Sequence, residues 1–399
     1  MKNPFSLRAP PFDADAIHAT IERALNSAGL DTASGPMRQV TETLRRTLGS
    51  GSGMPGAAAT AAAAGPVIDI EARVVDTGES AAAEPKYKPL PAETPAAGSF
   101  DTHSFSNAAG TRAYKLHVPQ RGAGTARPMV VMLHGCTQSA DDFAAGTRMN
   151  RLADEHGLLV VYPEQAAQAN ASKCWNWFQP GDQVRDAGEP SLIAGIVRQV
   201  AQRHAADPRR IYVAGLSAGA AMAVVLGQTY PELFAGVGVH SGLPFGSAHD
   251  IPSALAAMKG GRSGQPGLQG LPGRATAPRR QAQQPVPTIV FHGDRDHTVQ
   301  HSNGAAIVEQ ARRARRAQAD APALSERTQS GQARGGRGYT RTVDADATGQ
   351  AHIESWTLHG AGHAWSGGDA RGSFTDGNGP DASAEMLRFF LALPRAGTA

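Results

Sequence analysis

Cysteine, net charge and long apolar runs are all scarce in this chain, and each scarcity removes a class of protein. Cys136 and Cys174 are the only cysteines among 399 residues, so a fold stapled by several disulfides is excluded. The two could bridge or sit as small buried thiols, and the sequence leaves both open. No apolar stretch nears the roughly 18 residues of a membrane-spanning helix. The opening Met1-Lys-Asn-Pro-Phe-Ser-Leu-Arg-Ala-Pro-Pro11 has no apolar core of the signal-peptide kind, so a cytoplasmic protein is expected. A net charge of only +3 argues against a nucleic-acid partner. The basic stretches Arg312-Arg-Ala-Arg-Arg316 and Arg334-Gly-Gly-Arg-Gly338 therefore read as solvated surface. The histidines show no metal-binding spacing such as H-E-x-x-H, and neither a metal nor another cofactor is expected.

Hydrophobic residues make up 41% of the chain, which suits a globular protein of one large domain or two small ones. Residues 1–48 hold two candidate helices. Ile17, Ile21, Ala24 and Leu25 share one face, closed by Gly29. Met37, Val40, Leu44 and Leu48 share another, opened by Pro36. Such a pair is too small to bury a core alone and is expected to dock on the rest of the chain, on another subunit or on an apolar surface. Residues 49–97, rich in Gly, Ala and Pro, read as a flexible linker. Residues 98–395 read as one domain, with strands expected near 102–106, 113–118, 129–133, 158–162, 209–214, 235–240, 287–292 and 353–358. Helices are expected near 140–155, 191–205, 218–229, 302–317 and 380–393. The alternation implies an α/β fold whose mainly parallel sheet carries helices on both faces. A low-complexity insert at about 259–286, rich in Gly, Pro, Gln and Arg, interrupts it.

The most telling segment is Arg210-Ile-Tyr-Val-Ala-Gly-Leu-Ser-Ala-Gly219. An apolar strand runs into G-x-S-x-G and then directly into the helix-like Ala220-Met-Ala-Val-Val-Leu-Gly227. A turn this tight strains Ser217 and needs Gly215 and Gly219 so that strand and helix can approach. It pushes the serine hydroxyl out of the sheet and aims a helix N-terminus at it, as in the nucleophile elbow of an α/β-hydrolase. A serine nucleophile needs a base, and the base an orienting acid, in the chain order Ser, acid, His. Downstream, Thr288-Ile-Val-Phe291 ends in a loop with Asp294 and Asp296. Further on, a strand-like run ends in a Gly-rich loop with His359 and His363. Upstream, the strand Met129-Val-Val-Met-Leu133 leads into His134-Gly-Cys136, where a backbone N–H of Cys136 would join that of Ala218 to form an oxyanion hole.

Five blocks together, Leu133-His-Gly-Cys-Thr-Gln138, Cys174-Trp-Asn-Trp-Phe178, Gly215-Leu-Ser-Ala-Gly219, His292-Gly-Asp-Arg-Asp-His-Thr-Val299 and Gly360-Ala-Gly-His-Ala-Trp-Ser-Gly-Gly368, resemble the polyhydroxybutyrate (PHB) depolymerase family of esterases, type 1 catalytic domain. The resemblance spans about residues 98 to 393. It implies an α/β-hydrolase fold and a Ser217, Asp296, His363 triad, with Asp294 and His359 as the runners-up. It also implies hydrolysis of poly(3-hydroxybutyrate) or its oligomers, while feruloyl and acetylxylan esterases are related alternatives. A reading of another class is a granule-binding protein whose hydrolase domain is accessory, using residues 1–48 on a polyhydroxyalkanoate granule. Many members of this family are extracellular, which is the alternative to a cytoplasmic address. Trp177 and Trp365 are candidates for lining an acyl-binding cleft, with core packing as the alternative for each, whereas Trp356, inside a strand, reads as core.

Overall fold

The computed structural model describes residues 98–121, 124–261, 285–318 and 321–394. The expected helical pair of residues 1–48, the linker at 49–97 and most of the insert at 259–286 lie outside the described residues. The described chain opens with a hairpin, β1 (Ser99–Asn107) and β2 (Gly110–Val118). Next come β3 (Arg127–Leu133), α1 (Ala140–Thr147), α2 (Met149–His156), β4 (Leu159–Pro163), α3 (Gly188–Arg203), β5 (Ala206–Leu216) and α4 (Ala218–Thr229). They are followed by β6 (Gly236–His240), α5 (Ile251–Met258), β7 (Thr288–Gly293) and α6 (Ser302–Arg316). A second hairpin, β8 (Ser325–Gln332) and β9 (Gly338–Ala345), precedes β10 (Ala351–Leu358), the short β11 (Trp365–Ser366) and β12 (Thr375–Asp376), and α7 (Ala382–Ala392).

Ten of these strands form one sheet in the order β1-β2-β4-β3-β5-β6-β7-β10-β9-β8. The inner six, β4 to β10, run parallel, and an antiparallel hairpin closes each side. β3, β4, β6 and β7 are buried at every residue, which is why they read as unbroken apolar runs instead of alternating ones. Alternate side chains still serve two cores. Met129, Val131 and Leu133 pack with Ile193 of α3 and Met222 of α4. Val130 and Met132 pack on the other face with Phe143 of α1, Leu152 of α2 and Phe390 of α7. Because the inner strands are parallel, their carboxyl ends meet along one edge, where α/β sheets place their sites. No helix among the described residues is long and apolar enough to cross a membrane.

Beyond the short β11 and β12, which the sequence reading did not contain, the structure differs from it in three places. The helix expected over 140–155 is two helices, broken at Arg148, whose φ of 53° is left-handed. Arg148 holds that turn by donating to the Gly367 carbonyl at 2.7 Å. Helix α5 was not anticipated, although Asp250 and Ser253 cap its start reciprocally and Pro252 lies in its first turn. Nor was the β8–β9 hairpin, because Ser325–Gln332 is exposed almost throughout and has no apolar face to betray it. Polar cross-strand pairs line it instead, Thr328 with Thr342 at 3.1 Å and Ser330 with Thr340 at 3.2 Å.

β10 is tied into this frame by a buried carboxylate. Glu354 is fully buried. It accepts two bonds from the Arg341 guanidinium, each at 3.0 Å, one from Trp356 Nε1 at 2.8 Å, and one from Arg388 on α7. A buried carboxylate is tolerable only with its lone pairs filled in this way. Replacing Glu354 by Ala should destabilise the protein by about 3 kcal/mol, the lower end for a broken buried pair, because both arginine heads also reach water. Urea unfolding of Glu354→Ala beside wild type measures this, and a loss under about 1 kcal/mol would show the network to be ornamental.

Candidate active site

β5 delivers Ser217 to the carboxyl edge of the sheet. The residue has φ 57° and ψ −119°, between the end of the strand and the first residue of α4. From Ile211 to Gly227 it is the one position that is not buried. The glycines on either side have no room for a side chain. A Cβ on Gly215 would lie 2.5 Å from the Gly219 carbonyl carbon, and one on Gly219 would lie 2.2 Å from the Leu133 carbonyl oxygen. The Ser217 N–H is donated to the His240 carbonyl at the end of β6, at 2.9 Å.

β7 and β10 deliver a carboxylate and an imidazole to the same edge. Asp296, in the loop after β7, is 2% exposed. Its Oδ1 accepts the Thr298 and Val299 N–H groups at 2.9 and 2.8 Å. Its Oδ2 lies 2.7 Å from Nδ1 of His363, in the loop after β10. A carboxylate only accepts, so Nδ1 of His363 carries a proton, and in the neutral ring the lone pair is on Nε2. His292 Nε2, which donates to the Val299 carbonyl at 2.8 Å, stands 3.5 Å from the same Oδ2. Burial alone would push the Asp296 carboxyl up. The His292 and His363 hydrogen bonds and the loop N–H groups outweigh burial and hold it well below the usual carboxylate range.

The two runners-up find each other. Asp294 Oδ2 lies 3.1 Å from His359 Nδ1, and its Oδ1 accepts the Gly360 N–H at 2.7 Å. Both side chains are open to solvent, 34% for Asp294 and 47% for His359. The same two loops are thus joined by an exposed and a buried Asp–His pair. Among the described residues Ser217 and His363 share no hydrogen bond. Such bonds commonly tighten only around a substrate.

The loop after β3 is held from three sides. His134 is buried, and burial lowers its pKa. Its Nε2 accepts the Gln165 N–H at 3.0 Å, which leaves the proton on Nδ1 to bind the Gly135 carbonyl at 2.7 Å. In a trans peptide the Cys136 N–H then points away from that carbonyl. A disulfide joins Cys136 to Cys174, 38 residues on. Among the described residues the Cys136 N–H is not donated to a backbone carbonyl, and Ala218, as the first residue of α4, has no intrahelical partner for its own. The Cys174 segment is anchored by Glu189, which no sequence signal marked. Buried Glu189 accepts from the Asn176 N–H at 2.8 Å, Asn176 Nδ2 at 2.9 Å, Arg112 at 3.2 Å and Gln165. Burial, then the nearby Asp182 carboxylate, pushes its carboxyl up.

The two tryptophans offered as cleft lining are core residues. Trp365 is 1% exposed, stacks on His240 at 5.3 Å, meets Phe143 edge-on and donates Nε1 to Ser383 at 3.1 Å. Trp177 is 6% exposed and packs edge-on to Phe178. Each ring finds apolar or aromatic partners inside the fold, Trp365 from the short strand β11 and Trp177 beside Phe178, and burying so large an apolar surface outweighs leaving it at the edge. Trp356 is core as anticipated, stacked on Phe291.

Relatives that the chain matches in sequence include a depolymerase and a feruloyl esterase. The profile of the family described as Esterase PHB depolymerase matches residues 112–329, more than half of the chain, and takes in Ser217 and Asp296 but not His363. The chain is 36% identical over 247 residues to poly(3-hydroxyalkanoate) depolymerase C of Paucimonas lemoignei, covering 62% of this chain and 57% of that protein. It is 36% identical over 143 residues to feruloyl esterase B of Neurospora crassa, covering 36% of this chain and 47% of that one. It thus spans about half the length of these relatives. Among solved structures, an acetyl xylan esterase from Aspergillus awamori shares the fold at TM-score 0.54 and 19% identity, over 73% of this chain and 99% of that one.

Two stability predictions follow from the site. Asp296 is held ionised in the folded protein, so its contribution is present above the unfolded carboxyl value of about 4 and lost as pH falls through its lower folded value. The advantage of wild type over Asp296→Asn in urea unfolding should therefore be in place at about pH 5 to 7 and shrink below about pH 4. A difference that stays flat on acidification would show that Asp296 is not held ionised. Opening the 38-residue loop by Cys136→Ser with Cys174→Ser should cost roughly 4 kcal/mol on the chain-entropy account. Unfolding with and without reductant gives the same quantity in the unaltered protein.

Proposed function

The chain belongs to the Esterase PHB depolymerase family, and from that premise we propose that it hydrolyses ester bonds of poly(3-hydroxybutyrate) or its oligomers through Ser217, His363 and Asp296. The observation that carries this reading is the 2.7 Å bond between Asp296 and His363 Nδ1 at the sheet edge that bears the Ser217 turn. Nε2 of His363 takes the Ser217 proton as Oγ attacks the ester carbonyl carbon. The carbonyl oxygen becomes an oxyanion and is met by the N–H of Cys136 in the loop after β3 and that of Ala218 at the start of α4. Asp296 holds the imidazole tautomer and stabilises the imidazolium. The C–O bond then breaks, His363 returns the proton to the departing alcohol oxygen, and an acyl-Ser217 remains. Water, deprotonated by the same Nε2, attacks the acyl carbon and frees the hydroxy acid.

The candidate apolar contact for the acyl chain is Phe374, a large apolar side chain that is 47% exposed. Its carbonyl accepts the Trp365 N–H at 2.7 Å, and its neighbour Ser373 bonds Gln138 of the β3 loop. Identity to a feruloyl esterase favours a second reading in which the same residues cleave carbohydrate-linked esters. The Cys136–Cys174 bridge suits an oxidising compartment, and so favours an extracellular address over a cytoplasmic one. Binding of residues 1–48 to a granule surface is a separate proposal, tested by granule association of a chain lacking them.

Amorphous poly(3-hydroxybutyrate) granules incubated with the wild-type protein should release hydroxybutyrate and its oligomers. Ser217→Ala should lower that rate by about 10⁶. A Ser217→Ala variant that keeps more than about a tenth of the activity would remove Ser217 from the mechanism. No release from granules, with feruloyl or aryl esters still cleaved, would move the substrate to small or carbohydrate-linked esters.

A further inference from the structure

His240 stands between the Ser217 turn and the His363 loop and touches both. It ends β6, is fully buried, and belongs to none of the proton-transfer steps above. Its carbonyl accepts the Ser217 N–H at 2.9 Å. Its ring Nε2 accepts the N–H of Ser366 at 3.0 Å, and Ser366 lies three residues after His363. The two bonds leave from opposite ends of one residue, so the span across His240 fixes how far the nucleophile turn lies from the base loop.

The tautomer follows from the partners. A backbone N–H only donates, so Nε2 must be bare and the proton must sit on Nδ1, facing Ser241 Oγ at 3.2 Å. The ring is fully buried and stacks on both Phe291 at 5.9 Å and Trp365 at 5.3 Å, which holds it against swinging away. Nor does it charge near neutral pH, since burial, with His292 and His363 nearby, pushes its pKa down to about 3. An imidazolium there would have no lone pair for Ser366 and would turn a donor against a donor.

We propose that His240 is a positioning residue, which sets the placement of His363 against Ser217 by accepting one backbone N–H from each loop. The inference rests on the ester-hydrolysis reading, and it adds a residue that touches neither substrate nor reacting proton. His240→Phe keeps the ring and its stacking but offers Ser366 no acceptor. His240→Gln loses the ring but can bring Oε1 close to where Nε2 was.

The test has a wild-type arm and a variant arm. In ¹⁵N-labelled wild type near pH 7, His240 Nε2 should appear as the bare, hydrogen-bonded nitrogen, and a protonated Nε2 would overturn the inference whatever the activity. With a soluble aryl ester, His240→Phe should lose about 10²-fold in kcat, the scale of an ångström-sized misplacement, with KM within about twofold. His240→Gln should recover most of that loss. Full kcat in His240→Phe, or an equal loss in the two variants, would sink the proposal. Phosphonylation of Ser217 by an organophosphonate follows the nucleophile and base without needing an ester, and should slow in His240→Phe by a similar factor. A wild-type protein that cleaves no ester but is phosphonylated at Ser217, slowly in His240→Phe, would refute the esterase reading and keep this one.

Discussion

Backbone crowding at one point organises the candidate site. Gly215, Gly219 and the carbonyls of Leu133 and His134 approach so closely that no Cβ fits between them. That contact joins β5, α4 and the end of β3 without side chains. It forces the positive φ at Ser217 and turns the start of α4 towards the sheet edge. It also brings the loop carrying Cys136 against the loop carrying Ala218, so both candidate oxyanion donors are set by the same constraint. A looser elbow would misplace the Ser217 hydroxyl and the two candidate donors together. Strain at a bulky or polar residue persists only where surroundings over-determine it, as they do here.

Around this point, buried polar groups are used as fixed struts. His134 and His240 each accept a backbone N–H on Nε2, and His292 donates from its Nε2 to a carbonyl. All three lie at or beside the carboxyl ends of parallel strands and clamp a loop that follows or faces them. Burial disfavours the charged forms of His134 and His240, which preserves their acceptor role. Asp296 is the contrary case, a buried carboxylate kept ionised by converging donors. A fixed negative charge therefore lies against His363 Nδ1 in the folded protein.

The paired Asp–His contacts between the β7 and β10 loops show how environment separates similar residues. Asp294 and His359 make the same kind of bond as Asp296 and His363, two residues earlier in one loop and four in the other. Their pair is solvated, and water competes for its charges. The buried pair lies beside His240 and so beside the turn of Ser217. Geometry at this scale is decided by which side of a loop faces the sheet.

Much of this was legible without coordinates. Unbroken apolar runs marked the inner strands, and the glycines flanking Ser217 marked the turn, because backbone crowding is written directly in residue size. The candidate acid and base were legible through the chain order serine, acid, histidine of an α/β-hydrolase, in loops that follow apolar strands. The exposed hairpin β8–β9 was not legible, since a strand without an apolar face leaves no period to read. Glu189 and His240 were not legible as loop anchors, because their partners lie far off in the chain or in the backbone. The inward turn of Trp177 and Trp365 and the closure of Cys136 with Cys174 depended on what surrounded each ring and thiol. The sequence by itself determined the elements and the chemistry available at their ends, because periodicity and turn sterics are local. Only the tertiary structure decided which Asp meets which His and which rings leave the surface, because those choices compare burial among competing groups across the sheet.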